Sequence, residues 1–134
     1  MMQPEESKLV LVVEDDPEAR SLYQHALESL GYRAEMAATA KEAKLKLSEI
    51  LPDLIIMDIM MPDMDGITLT REIHSHPRTS SIPIVAVSAL SDAATLNDAL
   101  LFGAMDYLVK PFEIQVLKLK LERALALAER RRQR

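Results

Sequence analysis

Short apolar runs alternate with amphipathic stretches along the chain, and this alternation predicts its elements. The segment at 9–13, LVLVV, is apolar throughout, as expected of a strand that is covered on both faces. Asp16 and Pro17 then form a helix start, and Gly31 stands where a helix should end. Apolar residues recur at helical spacing between these signals: Ala19, Leu22, Tyr23, Ala26, Leu27 and Leu30.

Four further β-α units follow in the same order. A more polar strand at 32–38 precedes a helix that begins at the capping pattern TAKE of 39–42. One face of that helix is apolar and carries Ala43, Leu47, Ile50 and Leu51. The remaining strands are predicted at 53–57, 82–87 and 106–109, and the remaining helices at 67–76, 91–103 and from 112 onward.

Five consecutive β-α units predict an α/β fold, a doubly wound parallel sheet of five strands with helices on both faces. Five strands are too few for a closed eight-stranded barrel. Strand order 2-1-3-4-5 is one common solution for an open sheet of this kind, and the polar second strand fits its edge position.

Composition and charge narrow the class of protein. There is no cysteine, which excludes a disulfide framework and a thiolate metal site. No apolar run approaches the ~18 residues of a membrane span, and residues 1–7 lack a signal-peptide core, so we expect a cytoplasmic protein. Residues 1–111 carry a net charge of −9, which argues against direct nucleic-acid binding. We expect residues 129–134 to be a basic tail or the start of a linker to a missing output domain.

Polar residues follow four of the five predicted strands. Glu14 and Asp15 follow the first strand, Asp58 the third, Ser88 the fourth and Lys110 the fifth. In the order 2-1-3-4-5 these four strands are contiguous, and ligands of such sheets bind beyond the carboxyl ends of the strands. The sequence therefore predicts that these side chains meet in one pocket.

The pocket's charges indicate its chemistry. Two carboxylates ~4 Å apart repel by ~4 kcal/mol at an effective dielectric near 20, and a divalent cation would relieve this repulsion. Oxygen ligands favour Mg²⁺, with Asp15 and Asp58 as direct ligands and Glu14 acting through water. A carboxylate beside Mg²⁺ and Lys110 is also a nucleophile toward phosphorus, with the Ser88 hydroxyl as a donor to a transferred oxygen.

Four motifs in order carry a resemblance to a known family: LVLVVEDDP, DLIIMDIMMPDMDG, IVAVSA and GAMDYLVKPF. Over residues 8–128 the chain resembles the receiver domain of two-component response regulators, a flavodoxin-like fold. The resemblance implies that Asp58 accepts a phosphoryl group from a phosphohistidine on a sensor histidine kinase or a histidine phosphotransfer protein. It implies a signalling protein that catalyses only its own phosphorylation and dephosphorylation.

The resemblance also implies roles for the other residues of the pocket. Glu14, Asp15, Asp58 and the backbone carbonyl of Met60 would bind Mg²⁺. Lys110 would contact the phosphoryl group, and the Lys110–Pro111 bond would be cis.

Ser88 and Tyr107 would form the switch, which acts on the surface of the fourth helix, fifth strand and fifth helix. That surface is a possible homodimer interface. Val116, Leu119 and Leu127 lie off the inner stripe of the last helix, and they form either a partner face or scattered exposed apolar residues.

Two apolar residues suggest a long-lived phosphorylated state. Met60 lies two residues after Asp58, and Leu90 lies two after Ser88. In receivers these positions border the path of the hydrolytic water, and neither side chain can orient that water. We therefore expect slow self-dephosphorylation.

Two other functions agree with parts of the sequence. A phosphatase with an aspartyl nucleophile on a similar sheet is the main alternative, but Met60 occupies the position of its second Asp. A flavin-binding module is less consistent with the acidic loop after the first strand. His25, His74 and His76 do not have the spacing of a metal site and are expected at the surface.

Overall fold

A computed structural model describes residues 7–61, 64–89 and 93–133. Strands and helices alternate along it as the apolar pattern predicts. The strands are β1 Leu9–Val13, β2 Arg33–Ala37, β3 Leu54–Asp58, β4 Met60–Met61, β5 Met64–Asp65, β6 Ile84–Ala89 and β7 Asp106–Lys110. The helices are α1 Pro17–Ser29, α2 Ala40–Glu49, α3 Gly66–Ser75, α4 Ala93–Leu101 and α5 Ile114–Arg132.

Five strands form one parallel sheet in the order β2-β1-β3-β6-β7. Since β6 and β7 are the fourth and fifth strands of the prediction, the predicted order 2-1-3-4-5 is confirmed. The short antiparallel pair of β4 and β5 was not predicted. It directly follows β3 and therefore borders the carboxyl end of the central strand.

The helices cover both faces of the sheet, and alternate residues of each central strand serve the two faces. Leu11, Val13, Ile55 and Met57 pack in one buried cluster with residues of α2, α3 and α4. The opposite cluster joins the intervening strand residues to α1 and α5, through Val10, Val12, Leu54, Ile56, Tyr23, Leu27, Leu117 and Leu121. All five residues of β3 are buried, so Asp58 lies at the end of a strand held on both faces.

The predicted helix ends are mostly confirmed. The Asp16 side chain accepts hydrogen bonds from the N–H groups of Glu18 and Ala19, and the Thr39 hydroxyl accepts one from the N–H of Glu42. Gly31 follows α1 with φ of +91°, a conformation that glycine adopts without strain. The predicted start of the fourth helix, at residues 91 and 92, lies outside the described residues.

Two residues were placed wrongly on buried helix faces. Leu22 is 71 % exposed, because the neighbouring Tyr23 and then Leu27 turn toward the sheet instead. Leu51 is 51 % exposed, because α2 ends at Glu49, before this residue. Helical spacing alone did not separate these positions from their buried neighbours.

The last helix continues to Arg132, so the basic residues Arg130, Arg131 and Arg132 are helical. None of the described helices has the length and apolar character that crossing a membrane requires. The peptide bond between Lys110 and Pro111 is cis, as the resemblance implied.

Candidate functional site

The polar residues at the strand ends converge at one edge of the sheet. Asp58 is the last residue of β3, Lys110 is the last residue of β7, and Glu14 and Asp15 directly follow β1. Because β1 pairs with β3, and β6 joins β3 to β7, these ends are neighbours. One oxygen from each of Glu14, Asp15 and Asp58 lies within 4.8 Å of the others. The structure thus brings together the predicted acidic cluster.

Lys110 lies against two of the three carboxylates. Its Nζ donates to Oε1 of Glu14 at 3.0 Å and to Oδ2 of Asp58 at 3.3 Å. Burial by itself lowers the pKa of Lys110, but the hydrogen bond to Glu14 and the charges of Asp58 and Glu14 outweigh it, so the pKa is raised. The ammonium is therefore held in its charged form, between the two acids that it contacts.

Glu14 is the most deeply buried member of the cluster, with 1 % of its surface exposed. Burial, followed by its hydrogen bonding with Asp58, raises the pKa of Glu14 to about 7. The N–H of Asp16 donates to Oε2 at 3.2 Å and, with Lys110, opposes that rise. A positive charge beyond that of Lys110 is therefore needed close by if this carboxylate is to stay fully ionised at neutral pH.

Asp58 is 5 % exposed and is held by the chain that follows it. Its Oδ1 accepts a hydrogen bond of 2.9 Å from the N–H of Met60, which places the Met60 peptide at the edge of the acidic cluster. The first residue of α3 also approaches closely. A Cβ on Gly66 would meet Cα of Ile59 at 2.5 Å and the carbonyl oxygen of Asp58 at 2.8 Å, so only glycine fits there.

Arg20 is a contributor that the sequence analysis missed. Its guanidinium donates to the carbonyl oxygens of Glu14 at 2.9 Å and of Asp15 at 2.8 Å. It thereby fixes the backbone that carries both acids. The available signal was its place four residues after Asp16, since helical side chains lean toward the helix N-terminus.

The two predicted switch residues lie in different environments. Ser88 is 1 % exposed and follows Val87, the residue that pairs with Asp58 in the register of β3 and β6. Tyr107 in β7 is 39 % exposed, and Nζ of Lys120 lies 4.7 Å from the centre of its ring. Leu90 lies outside the described residues.

The donor set fits a hard divalent cation. Three carboxylates meet one ammonium, so the ionised cluster keeps an excess of two negative charges in a largely buried place. Oxygen donors of this kind are those that Mg²⁺ prefers. His25, His74 and His76 are exposed, as expected. The cluster is therefore the candidate metal site of the described residues.

An apolar groove of about 640 Å³ adjoins this site, between α1 and the start of α5. Lys110 and Asp16 line its end next to the acidic cluster. Leu22 and Ile114 line it as well, although they are 71 % and 43 % exposed. A partner that fills the groove would thus lie next to Asp58.

Comparison with known proteins agrees with this architecture. Residues 10–122 match the family described as response regulator receiver domain. The chain is 35 % identical over 118 residues to the regulatory protein AtoC of Escherichia coli, covering 88 % of this chain and 25 % of that protein. It is 34 % identical to the phosphate regulon transcriptional regulatory protein PhoB of Rhizobium meliloti, covering 90 % of this chain and 53 % of that protein. The chain thus spans a quarter to about half of these relatives.

Two solved structures are similar over nearly their whole length. One is a CheY-like response regulator receiver domain protein from Methanospirillum hungatei, with a TM-score of 0.85 and 29 % identity, covering 93 % of this chain and 98 % of that one. The other is the receiver domain of a sensor histidine kinase from Pseudomonas aeruginosa with magnesium coordinated in its active-site cleft. It has a TM-score of 0.82 and 32 % identity, covering 90 % of this chain and 98 % of that one. With the fold, the acidic cluster and the family match in agreement, the chain belongs to the response regulator receiver domain family.

Proposed function

We propose that this chain accepts a phosphoryl group on Asp58 from a phosphohistidine of a sensor histidine kinase or a histidine phosphotransfer protein. One observation carries the proposal: Lys110 reaches both Asp58 and Glu14 across the ends of neighbouring strands. Phosphoryl transfer requires chiefly that groups be positioned and charge be neutralised, and this arrangement supplies both.

In the proposed step an Asp58 oxygen attacks phosphorus. The new O–P bond forms as the P–N bond to the donor imidazole breaks, and the electron pair of that bond stays on the imidazole. Lys110 lies 3.3 Å from Asp58 Oδ2 and is placed to hold a transferred oxygen. The buried hydroxyl of Ser88 is proposed to donate to another.

Mg²⁺ is the proposed cofactor. Glu14, Asp15, Asp58 and the backbone carbonyl of Met60 would hold it, and it would neutralise charge on the phosphoryl oxygens. Two features support this assignment: the unbalanced charge of the acidic cluster, and the magnesium named for the Pseudomonas aeruginosa relative.

The groove between α1 and α5 is the proposed docking site of the phosphohistidine protein. Two features support this assignment. The groove ends at Lys110, so an occupant lies beside Asp58, and Leu22 offers an exposed apolar contact within the groove. Leu22→Asp is expected to slow transfer from a phosphohistidine protein at least tenfold and to leave transfer from acetyl phosphate unchanged. Leu119→Asp, which alters a similarly exposed apolar residue of α5, is the matched control.

The proposed output is a change on the surface formed by α4, β7 and α5. Tyr107 is its proposed mobile residue, together with Ser88. Val116 and Leu119 are 42 % and 64 % exposed on α5 and supply apolar area for a partner or for a second copy of the chain.

A slow self-dephosphorylation is proposed from the apolar side chains of Met60 and Leu90, with Met60 being 52 % exposed near Asp58.

The test of the proposal is transfer of labelled phosphoryl from a phosphorylated histidine kinase, with Mg²⁺ present. The label should move to the wild-type chain and remain on the kinase with Asp58→Asn. Label that reaches Asp58→Asn equally well would show that another residue is the acceptor.

The lifetime of the phosphorylated protein is tested on the same material. The double variant Met60→Asn with Leu90→Glu should shorten this lifetime, and an unchanged lifetime would exclude the role proposed for these two positions.

A further inference from the structure

Tyr23 carries a buried hydroxyl that the proposed reaction does not use. The residue lies in α1 and is 6 % exposed, and its ring packs against that of Phe112 with 6.1 Å between centroids. Among the described residues, its hydroxyl is the one buried side-chain donor that has no hydrogen-bond partner. Contacts with apolar neighbours stabilise the buried ring, but a buried hydroxyl without a hydrogen-bond partner lowers the stability of the fold. A phenylalanine would pack here without that disadvantage.

Tyr23 lies close to the acidic cluster. Side chains of a helix lean toward its N-terminus, and α1 begins at Pro17, directly after the loop that carries Glu14 and Asp15. Tyr23 also lines the groove that ends at Lys110. In agreement with this placement, the pKa of Tyr23 is raised by burial and then by the charges of Glu14 and Asp58.

Glu14 has acceptor capacity to spare. Its Oε1 accepts from Lys110, its Oε2 accepts from the N–H of Asp16, and the carboxyl group also meets Asp58, whereas an ionised carboxylate offers about four acceptor sites. Lys110 is shared with Asp58, and a transferred phosphoryl group would draw the ammonium away from Glu14. Oε1 would then need another donor to keep its orientation.

We propose that Tyr23 is a positioning residue for Glu14: the Tyr23 hydroxyl donates through one water to the Glu14 carboxylate and holds that carboxylate in the orientation that binds the divalent cation. The inference rests on the proposed function, because it assigns Glu14 to a cation site. Hydrogen bonds to the ligands of a metal commonly affect its affinity by one or two orders of magnitude, so the effect is measurable.

The test is titration of the unphosphorylated protein with MgCl₂, followed by amide chemical shifts, for the wild type and for Tyr23→Phe. This variant keeps the ring and its contact with Phe112 and removes only the hydroxyl. We expect about tenfold weaker Mg²⁺ binding with no loss of resistance to urea. Tyr32→Phe, which removes a hydroxyl outside the groove, is expected to bind Mg²⁺ as the wild type does. Equal affinity of Tyr23→Phe and the wild type would overturn the inference.

A double-mutant cycle separates action through Glu14 from a general effect on the site. In a Glu14→Gln background, Tyr23→Phe is expected to cause no further loss of Mg²⁺ affinity. A loss of the same size in both backgrounds would contradict the role given to Tyr23. A wild type that binds no Mg²⁺ would remove the proposed function and this inference together, whereas normal wild-type binding that Tyr23→Phe retains would remove only the inference.

Discussion

The ammonium of Lys120 lies 4.7 Å from the centre of the Tyr107 ring, and at 2.7 Å it donates to Oδ1 of Asp106. Asp106 is further held by Arg123, whose guanidinium lies 3.5 Å from Oδ2. Lys120 is therefore anchored by an ion pair while it contacts the face of the ring. This contact favours the outward, 39 % exposed position of Tyr107 in the described structure.

Lys120→Met is expected to release the Tyr107 ring. A cation–π contact at an exposed site is worth about 0.5–1 kcal/mol, so its loss should raise the population of other Tyr107 ring positions about two- to fivefold. Ring chemical shifts of Tyr107 measure the change in the unphosphorylated protein. Lys118→Met, on an exposed position of the same helix, should leave the ring signals as they are, and unchanged signals in Lys120→Met would show that the contact does not restrain Tyr107.

Asp58→Asn is expected to stabilise the metal-free protein. It removes one of three clustered carboxylates while nearly keeping the side-chain shape, so at pH 8.5 in chelator the free energy of unfolding should rise by about 1–2 kcal/mol. Saturating MgCl₂ should stabilise the wild type by about 2–3 kcal/mol and the variant by less. Urea unfolding measures both quantities. Asp98→Asn, at an exposed position of α4, is the control. If Asp58→Asn were less stable than the wild type without metal, repulsion among the carboxylates would not be the dominant effect.

Gly66→Ala is expected to disturb both the fold and the site. The added Cβ would meet the backbone of Ile59 at 2.5 Å and that of Asp58 at 2.8 Å, and main chain at a strand end cannot move aside easily. We expect a loss of about 2–3 kcal/mol in the free energy of unfolding and slower phosphorylation of Asp58.

Gly31→Ala is the matched comparison for Gly66→Ala. A Cβ added at Gly31 would meet nothing within 4 Å, but the φ of +91° at this residue is unfavourable for alanine. It should cost about 1 kcal/mol without affecting phosphorylation. Equal rates in Gly66→Ala and the wild type would show that the close approach does not position Asp58.

Alkaline pH is expected to weaken the fold through Tyr32. Burial and then the charge of Glu122 raise the pKa of this phenol above its ordinary value. Because the pKa is raised in the folded state, the phenol's contribution to the free energy of unfolding is complete below about pH 10. This contribution is lost as the pH rises from there through the pKa of the folded state. Between pH 8 and pH 11 the wild type should therefore lose more stability than Tyr32→Phe, by at most about 1.4 kcal/mol. If the wild type and Tyr32→Phe lost the same free energy of unfolding in urea, the pKa of Tyr32 would not be raised in the folded state.

The fold and the acidic cluster were accessible from the sequence because each depends on a simple regularity. Alternating apolar runs predict a parallel sheet, and a parallel sheet brings the ends of its strands together. Asp58 and Lys110 could thus be assigned to one pocket although 52 positions separate them.

The directions in which individual side chains point were harder to predict from the sequence. Leu22 and Tyr23 are adjacent apolar residues on α1, and helical spacing does not decide which of them is buried. Arg20 donates to carbonyl oxygens, which every residue carries, so its place four residues after Asp16 was the one weak signal of this role. The pair of β4 and β5 contains two residues in each strand, which is too short for a periodic signal.

The intact mass of the chain after incubation with acetyl phosphate tests the central claim most directly. With MgCl₂ present, the wild type should gain the mass of one phosphoryl group, and peptide mapping after borohydride reduction should place it at Asp58. The gain should be absent with chelator and absent in Asp58→Asn. A wild type that stays unmodified with donor and Mg²⁺ present, or an Asp58→Asn variant that gains the same mass, would contradict the account.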